Sequence, residues 1–174
     1  MSKYLSCAET AKLIRQALKE AFPRVKFAVR SHSYSGGASI NVAWTDGPNA
    51  DQVEAVAKVF QGAYFDGMQD LKGSTYAMID GVQVRFGADF VFCKRKFSRV
   101  LCEKILSRLH FNGVTVGGSA DDAWLDAGDH STAMWARTRL HKHSDRLRVE
   151  KSTTAARVIY LGNDGHSDVR ALNV

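Results

Sequence analysis

An α+β fold is predicted by three features of the 174-residue chain. Amphipathic helical stripes alternate with short strand-like runs, an Asp-Gly pair separates two β-rich segments, and the element order is helix, two strands, helix, three strands, helix. That order places helices on one face of a mostly antiparallel sheet built from hairpins and a meander, with a C-terminal α/β extension after it.

Each element has a local cause. Ser6 followed by Glu9 has capping-box spacing, so a helix is expected to start there. Leu13, Ile14, Ala17, Leu18, Ala21 and Phe22 form its apolar stripe, and Pro23 ends it because a proline pushes the preceding residue out of the helical region. Val25, Phe27 and Val29 alternate with Lys26 and Arg30 as in a half-buried strand. Ile40, Val42 and Trp44 alternate with Asn41 and Ala43 in the same way. The residues between, including Gly36-Gly37, read as a long connection in an antiparallel hairpin, and Thr45-Asp46-Gly47-Pro48 breaks the second strand.

Val53, Val56, Ala57 and Phe60 mark a second helix, with Glu54 and Lys58 as a surface pair. Residues 62–74, punctuated by glycine, read as a connector. Asp80-Gly81 then predicts a type I′ hairpin turn, and the run from Ala88 to Phe97 adds a third strand to that meander. Ser98 can cap a third helix with Leu101, Cys102, Ile105, Leu106 and Leu109 inward, stopped at Asn112-Gly113. A short strand at 114–116, a helix near 131–143 and a strand at 156–162 complete the expectation. Residues 1–112 are expected as one α+β domain and 113–174 as a basic extension, separate or part of the same domain.

Hydrophobic residues at 45% and charged residues at 24% are ordinary globular values, so disorder is not the default expectation. Cys7, Cys93 and Cys102 form no CxxC pair, and neither an apolar leader nor a run of membrane-spanning length is present in the sequence. A soluble cytoplasmic protein is expected. The net charge of +6 is lopsided: residues 1–90 carry 10 Lys+Arg against 9 Asp+Glu, and residues 91–174 carry 14 against 9. A basic surface favours polyanions such as nucleic acid, or an acidic partner.

No catalytic arrangement emerges. Gly36-Gly37 runs into a strand, and no Gly-Lys-Ser/Thr follows, so it is not a phosphate-cradling loop. The Gly117–Asp121 stretch lacks the second glycine of a serine elbow. His130, His141 and His143 sit among cations, which disfavours a metal. No enzyme, cofactor or metal is therefore expected. Two binding sets remain. The hairpin offers His32, Tyr34 and Ser35 at its tip, with Lys26, Arg30 and Asn41 on the solvent face beneath. The basic run offers Arg137, Arg139, Lys142, Arg146 and Arg148, with Lys151 and Trp135 beside them, suited to phosphates or to a partner's carboxylates.

The segment from Tyr4 to Pro48, with its Ser-Tyr-Ser-Gly-Gly and Trp-Thr-Asp-Gly-Pro signatures, is followed by "FDGMQD" and "VRFGADFVFCKR". Together they resemble the large polyvalent protein-associated domain families, in particular the twenty-ninth of that series, over roughly residues 4–97. The resemblance implies an α+β fold and a setting in phages and conjugative elements, whose families are linked to overcoming host defence. It implies no catalytic residues. Two functions are expected from it and from the charge. One is a counter-defence protein, anti-CRISPR or anti-restriction, that binds a host immune nucleoprotein complex stoichiometrically. The other is a nucleic-acid-binding module that protects or escorts incoming DNA. The expected partners are thus a host defence complex and RNA or DNA, with no membrane, and a homodimer as one option for assembly.

Overall fold

A computed structural model describes residues 2–109, 113–145 and 151–164. Its apolar side chains collect in two cores, and the chain passes from the first to the second and back.

The first core opens with strand β1 (Lys3–Leu5) and helix α1 (Cys7–Ala21). Ser6 Oγ accepts from Glu9 N at 3.3 Å while the Glu9 carboxylate accepts from Ser6 N at 2.8 Å, which is the expected capping box. Ile14, Ala17, Leu18, Ala21 and Phe22 are buried. Strands β2 (Ala28–Tyr34) and β3 (Gly37–Thr45) form the expected antiparallel hairpin, but not with a long connection. Pairing continues to Tyr34 opposite Gly37, so only Ser35-Gly36 turns the chain. The segment 31–34 has a loop-like composition because it lies exposed on an edge strand, while its backbone pairs with β3 on one side. The strand expected from Val25 begins instead at Ala28.

Helix α2 (Ala50–Ala57) is capped by Asn49, whose side chain accepts from Gln52 N at 3.0 Å, and runs into a 3₁₀ turn (Lys58–Phe60). Val53, Val56, Ala57 and Phe60 are buried, and Lys58 pairs with Glu54 at 2.7 Å. Strands β4 (Ala63–Asp66), β5 (Leu71–Ile79) and β6 (Val82–Phe86) follow. The stretch expected as a connector contains β4 and the start of β5, because Asp66 Oδ1 accepts from Met68 N and Gln69 N and folds the chain back there. Asp80 and Gly81 have φ of 50° and 79°, the pair of positive values a primed turn requires.

Strand β7 (Phe90–Lys96) departs from the meander expected of it. It lies parallel to β3, from Phe90 opposite Ser39 to Lys96 opposite Thr45, after Asp89 N donates to Ala38 O at 2.8 Å to begin the ladder. The fold is α+β and mostly antiparallel, as the sequence predicts, with the pairing divided between sheets: β1-β6-β5 with β4, and β2-β3-β7. Helices α1 and α2 cover one face of the second of these.

Phe97 begins the second core, shared by helix α3 (Arg99–Leu109), strands β8 (Val114–Gly118) and β9 (Ala123–Ala127), and helix α4 (His130–Lys142). Ser98 Oγ accepts from Leu101 N at 3.1 Å, the cap expected for α3; Asn112 lies outside the described residues. The chain then returns to the first core. Helix α5 (Thr153–Ala156) packs on α1, and strand β10 (Val158–Asn163) pairs antiparallel with β5.

Two polar contacts fasten these returns. Arg95, 9% exposed, donates from Nε to Asp46 O (3.0 Å), from Nη2 to Gly47 O (3.0 Å) and from Nη1 to His143 O (2.7 Å) and His141 O (3.4 Å). It thereby ties β7 to the turn after β3 and to the unsatisfied carbonyls ending α4. The Glu20 carboxylate on α1 accepts from Ser152 Oγ (2.8 Å), Thr154 N (2.9 Å) and Thr154 Oγ1 (2.8 Å), anchoring α5.

Replacing Arg95 by methionine keeps the apolar stem and removes all four bonds; unfolding by urea should show a loss of about 3 kcal/mol, and Arg95→Lys should recover only part of it. An unchanged midpoint would refute the tie. The hydrogen bonds from Thr154 N, Ser152 and Thr154 hold the Glu20 carboxyl down to about 2 from an ordinary 4.5. Because the folded-state value is the lower one, this contribution is complete above pH 4.5 and is lost as pH falls from there through about 2. Acid titration of Glu20→Gln should therefore lack that component of the stability loss, at a cost near neutral pH of about 1 kcal/mol.

Candidate functional site

The face of the β2-β3-β7 sheet opposite α1 and α2 carries polar, cationic and aromatic side chains. Strand register determines the set, since residues paired directly across strands share a face. Arg30, Asn41 and Phe92 are aligned in one row, His32, Ser39 and Phe90 in the next, and Ala28, Ala43 and Lys94 on the other side. Tyr34 sits opposite Gly37 at one end, and Lys96 opposite Thr45 at the other. Along the nine residues of β3 the face is about 26 Å long at 3.3 Å per residue.

Its large side chains are open to solvent. Phe92 is 53% exposed and Tyr34 49%, values uncommon for aromatics that have a core to enter. The His32 and Tyr34 rings are 5.8 Å apart and tilted, and Phe90 and Phe92 are 6.2 Å apart, so each pair forms a small ledge along its strand. Arg30 and Lys94 are exposed and make no ion pair among the described residues. The opposite side of β7 points inward as Val91, Cys93 and Arg95, so one strand supplies both the core and the face by simple alternation.

Below the last row the face opens into a cleft of about 740 Å³, lined by Arg24, Lys26, Phe27, Trp44, Asp46 and Lys96 among others. Lys96 donates to Asp122 at 2.8 Å, and that hydrogen bond holds the Asp122 carboxyl below its ordinary value, with Lys94 adding to the effect. Across the rows and the cleft, cations outnumber carboxylates.

The structure brings Arg30, His32, Tyr34 and Asn41 together on this face, leaves Ser35 in the turn beside Tyr34, and places Lys26 ahead of β2 at the cleft. Phe92, Lys94 and Lys96 belong to the same face and had no place in the sequence reading of the hairpin. Their signal is the alternation Phe92, Lys94, Lys96 against Val91, Cys93, Arg95, legible once β7 is known to lie beside β3.

The basic run lies elsewhere, on α4, which packs on α3, β8 and β9. Arg137 is engaged within that unit, donating to Leu125 O at 2.9 Å and to Asp126 at 3.0 Å. Arg139 stacks over Trp135 at 5.0 Å, Lys142 is exposed beside a groove between α2 and α4, and Arg146 and Arg148 lie outside the described residues. His141 meets Phe97 edge-on at 4.9 Å; burial first and then Arg95 hold both His141 and His143 below the usual imidazole range. No group of three or more His, Cys, Asp or Glu suited to a metal occurs among the described residues. Burial pushes the Cys93 and Cys102 thiols up to about 11, so both remain protonated at neutral pH. No helix among the described residues is long and apolar enough to cross a membrane.

The fold and this surface define an α+β domain with one helix-covered sheet face and one uncovered face of cations and aromatics. The family model of large polyvalent protein associated domain 29 matches residues 5–98, more than half of the chain, and the chain belongs to that family. The match ends where the first core gives way to the second. Comparison with curated proteins and with solved structures finds no match.

Proposed function

We propose that the chain binds single-stranded DNA, without catalysis, across the outer face of β2-β3-β7. The observation that carries this reading is the row of Arg30, Asn41 and Phe92, flanked by Tyr34, Phe90 and Lys94 on one sheet face. Bases held inside a duplex cannot stack on a protein ring, whereas unpaired bases can, and every base offers such a face whatever its sequence. Cations beside the rings then take the phosphates, and Asn41 supplies donors and acceptors for base edges. The setting of the family in phages and conjugative elements supports a strand of the element's own DNA as the ligand.

That setting also supports a second reading, in which the face seats on the nucleic-acid strand of a host immune complex and blocks it. The two readings share a surface and differ in where the strand resides.

Fluorescence anisotropy with labelled oligonucleotides tests the first. Single-stranded DNA should bind more tightly than duplex, and alanine at Phe92 or Tyr34 should weaken binding about tenfold. Arg30→Ala should lower the slope of log affinity against log salt by about 0.7, one phosphate contact on a single strand. Absence of binding at low salt, or variants indistinguishable from the wild type, would sink it. For the second reading, expression of the chain should raise the plaquing of a phage restricted by the host's defence, and Phe92→Ala should abolish the effect.

A further inference from the structure

We infer that the strand-binding face continues past the end of β7 onto the second unit, where Trp124 is a further stacking platform for a base. The inference rests on the proposed strand-binding reading and extends its footprint beyond the residues that match the family.

Continuity of the surface follows from backbone pairing. Ala123 N donates to Phe97 O at 2.8 Å, which sets the start of β9 beside the end of β7. Phe97 and Ala123 both enter the second core. Side chains alternate along extended chain, so the residues flanking these two point the other way, to the side of Lys94 and Lys96. The ion pair of Lys96 with Asp122 at 2.8 Å verifies that parity directly, and Trp124 has the same parity as Asp122. From Phe92 to Lys96 the path covers four residues, about 13 Å, and then crosses to the neighbouring strand.

Trp124 is built to present a ring. It pairs with Gly117 across the β8-β9 hairpin, and its indole lies over Gly117 and Gly118. A Cβ on Gly117 would stand 2.6 Å from Trp124 Nε1, and one on Gly118 2.6 Å from Cζ3, so only glycine leaves room for the ring. One indole face is thus seated on backbone, and the side chain remains 51% exposed. Arg99 braces the hairpin beneath, donating from Nη2 to Gly118 O at 2.8 Å. A half-exposed indole two residues along the chain from Asp122, the partner of Lys96, has the chemistry of a base-stacking site.

The test uses the full chain and labelled oligothymidylates of about 4 and about 12 nucleotides, the shorter able to occupy the sheet rows alone. Trp124→Ala should weaken the longer oligonucleotide about tenfold and leave the shorter one unchanged, whereas Phe92→Ala weakens both. Trp124→Phe, which retains a stacking ring, should restore most of the affinity for the longer one. Intrinsic fluorescence gives a second readout: Trp44 is only 3% exposed and Trp135 is half-buried on α4 beneath Arg139, so quenching by the longer oligonucleotide should fall in Trp124→Phe and persist in Trp135→Phe. If Phe92→Ala weakens both lengths while Trp124→Ala changes neither, the extension is wrong and the sheet-face reading stands. If Phe92→Ala changes neither length, the sheet-face reading falls and the extension with it.

Discussion

One buried guanidinium fixes how the two cores meet. Arg95 reaches from β7 to four main-chain carbonyls, two in the turn after β3 and two at the end of α4, and a planar fork of five N–H groups is the side chain able to serve both at once. Phe97 lies against it at 5.0 Å, and His141 closes on the same ring. Helix ends reinforce the junction: Asn49 at the start of α2 donates to Lys142 O at 3.5 Å, and Ser144 Oγ bonds Gln52 Oε1 at 2.6 Å. The positive end of one helix dipole thus faces the negative end of another. Burial lowers the Arg95 pKa while Asp46 and Asp145 raise it, so its charge is counterbalanced by carboxylates nearby as well as by peptide dipoles.

That junction governs the surface on the other side of the same strand. β7 alternates strictly, so whatever positions Arg95 also positions Lys94 and Lys96, and through the contact of Phe97 with Ala123 it sets where β9 begins. The same strand therefore sets both the sheet face and the start of β9, even though the family match covers only the first. Inward burial explains why this strand offers no reactive thiol, since Cys93 sits on the core side with its proton retained.

What the sequence made legible was local chemistry. The Ser6–Glu9 box, the Ser98 cap position next to an apolar stripe, and the Asp80-Gly81 turn are all interactions within a few residues, and each occurs where the spacing placed it. The missed elements depend on distant partners. β1 is three residues long and is a strand only because β6 lies beside it; β9 exists against β8, and α5 against Glu20. The hairpin half of the candidate site was readable from alternation, but β7 could be added only once its ladder with β3 was known, because nothing in "FVFCKRK" distinguishes a parallel partner from an antiparallel one. Arg95 carries no local signal either, since in sequence it is one more cation in a basic strand.

β10 completes the first sheet with residues made long after those they join: Val158 pairs with Ile79, 79 residues earlier in the chain. On a ribosome adding about 5–20 residues per second, the β5 edge stays without that partner for several seconds while the second core forms in the interval. An open edge of this kind invites pairing with another nascent chain, so the protein's own synthesis includes a window of aggregation risk. The order of manufacture therefore makes the second core the unit that can be finished first and the first core the one that waits.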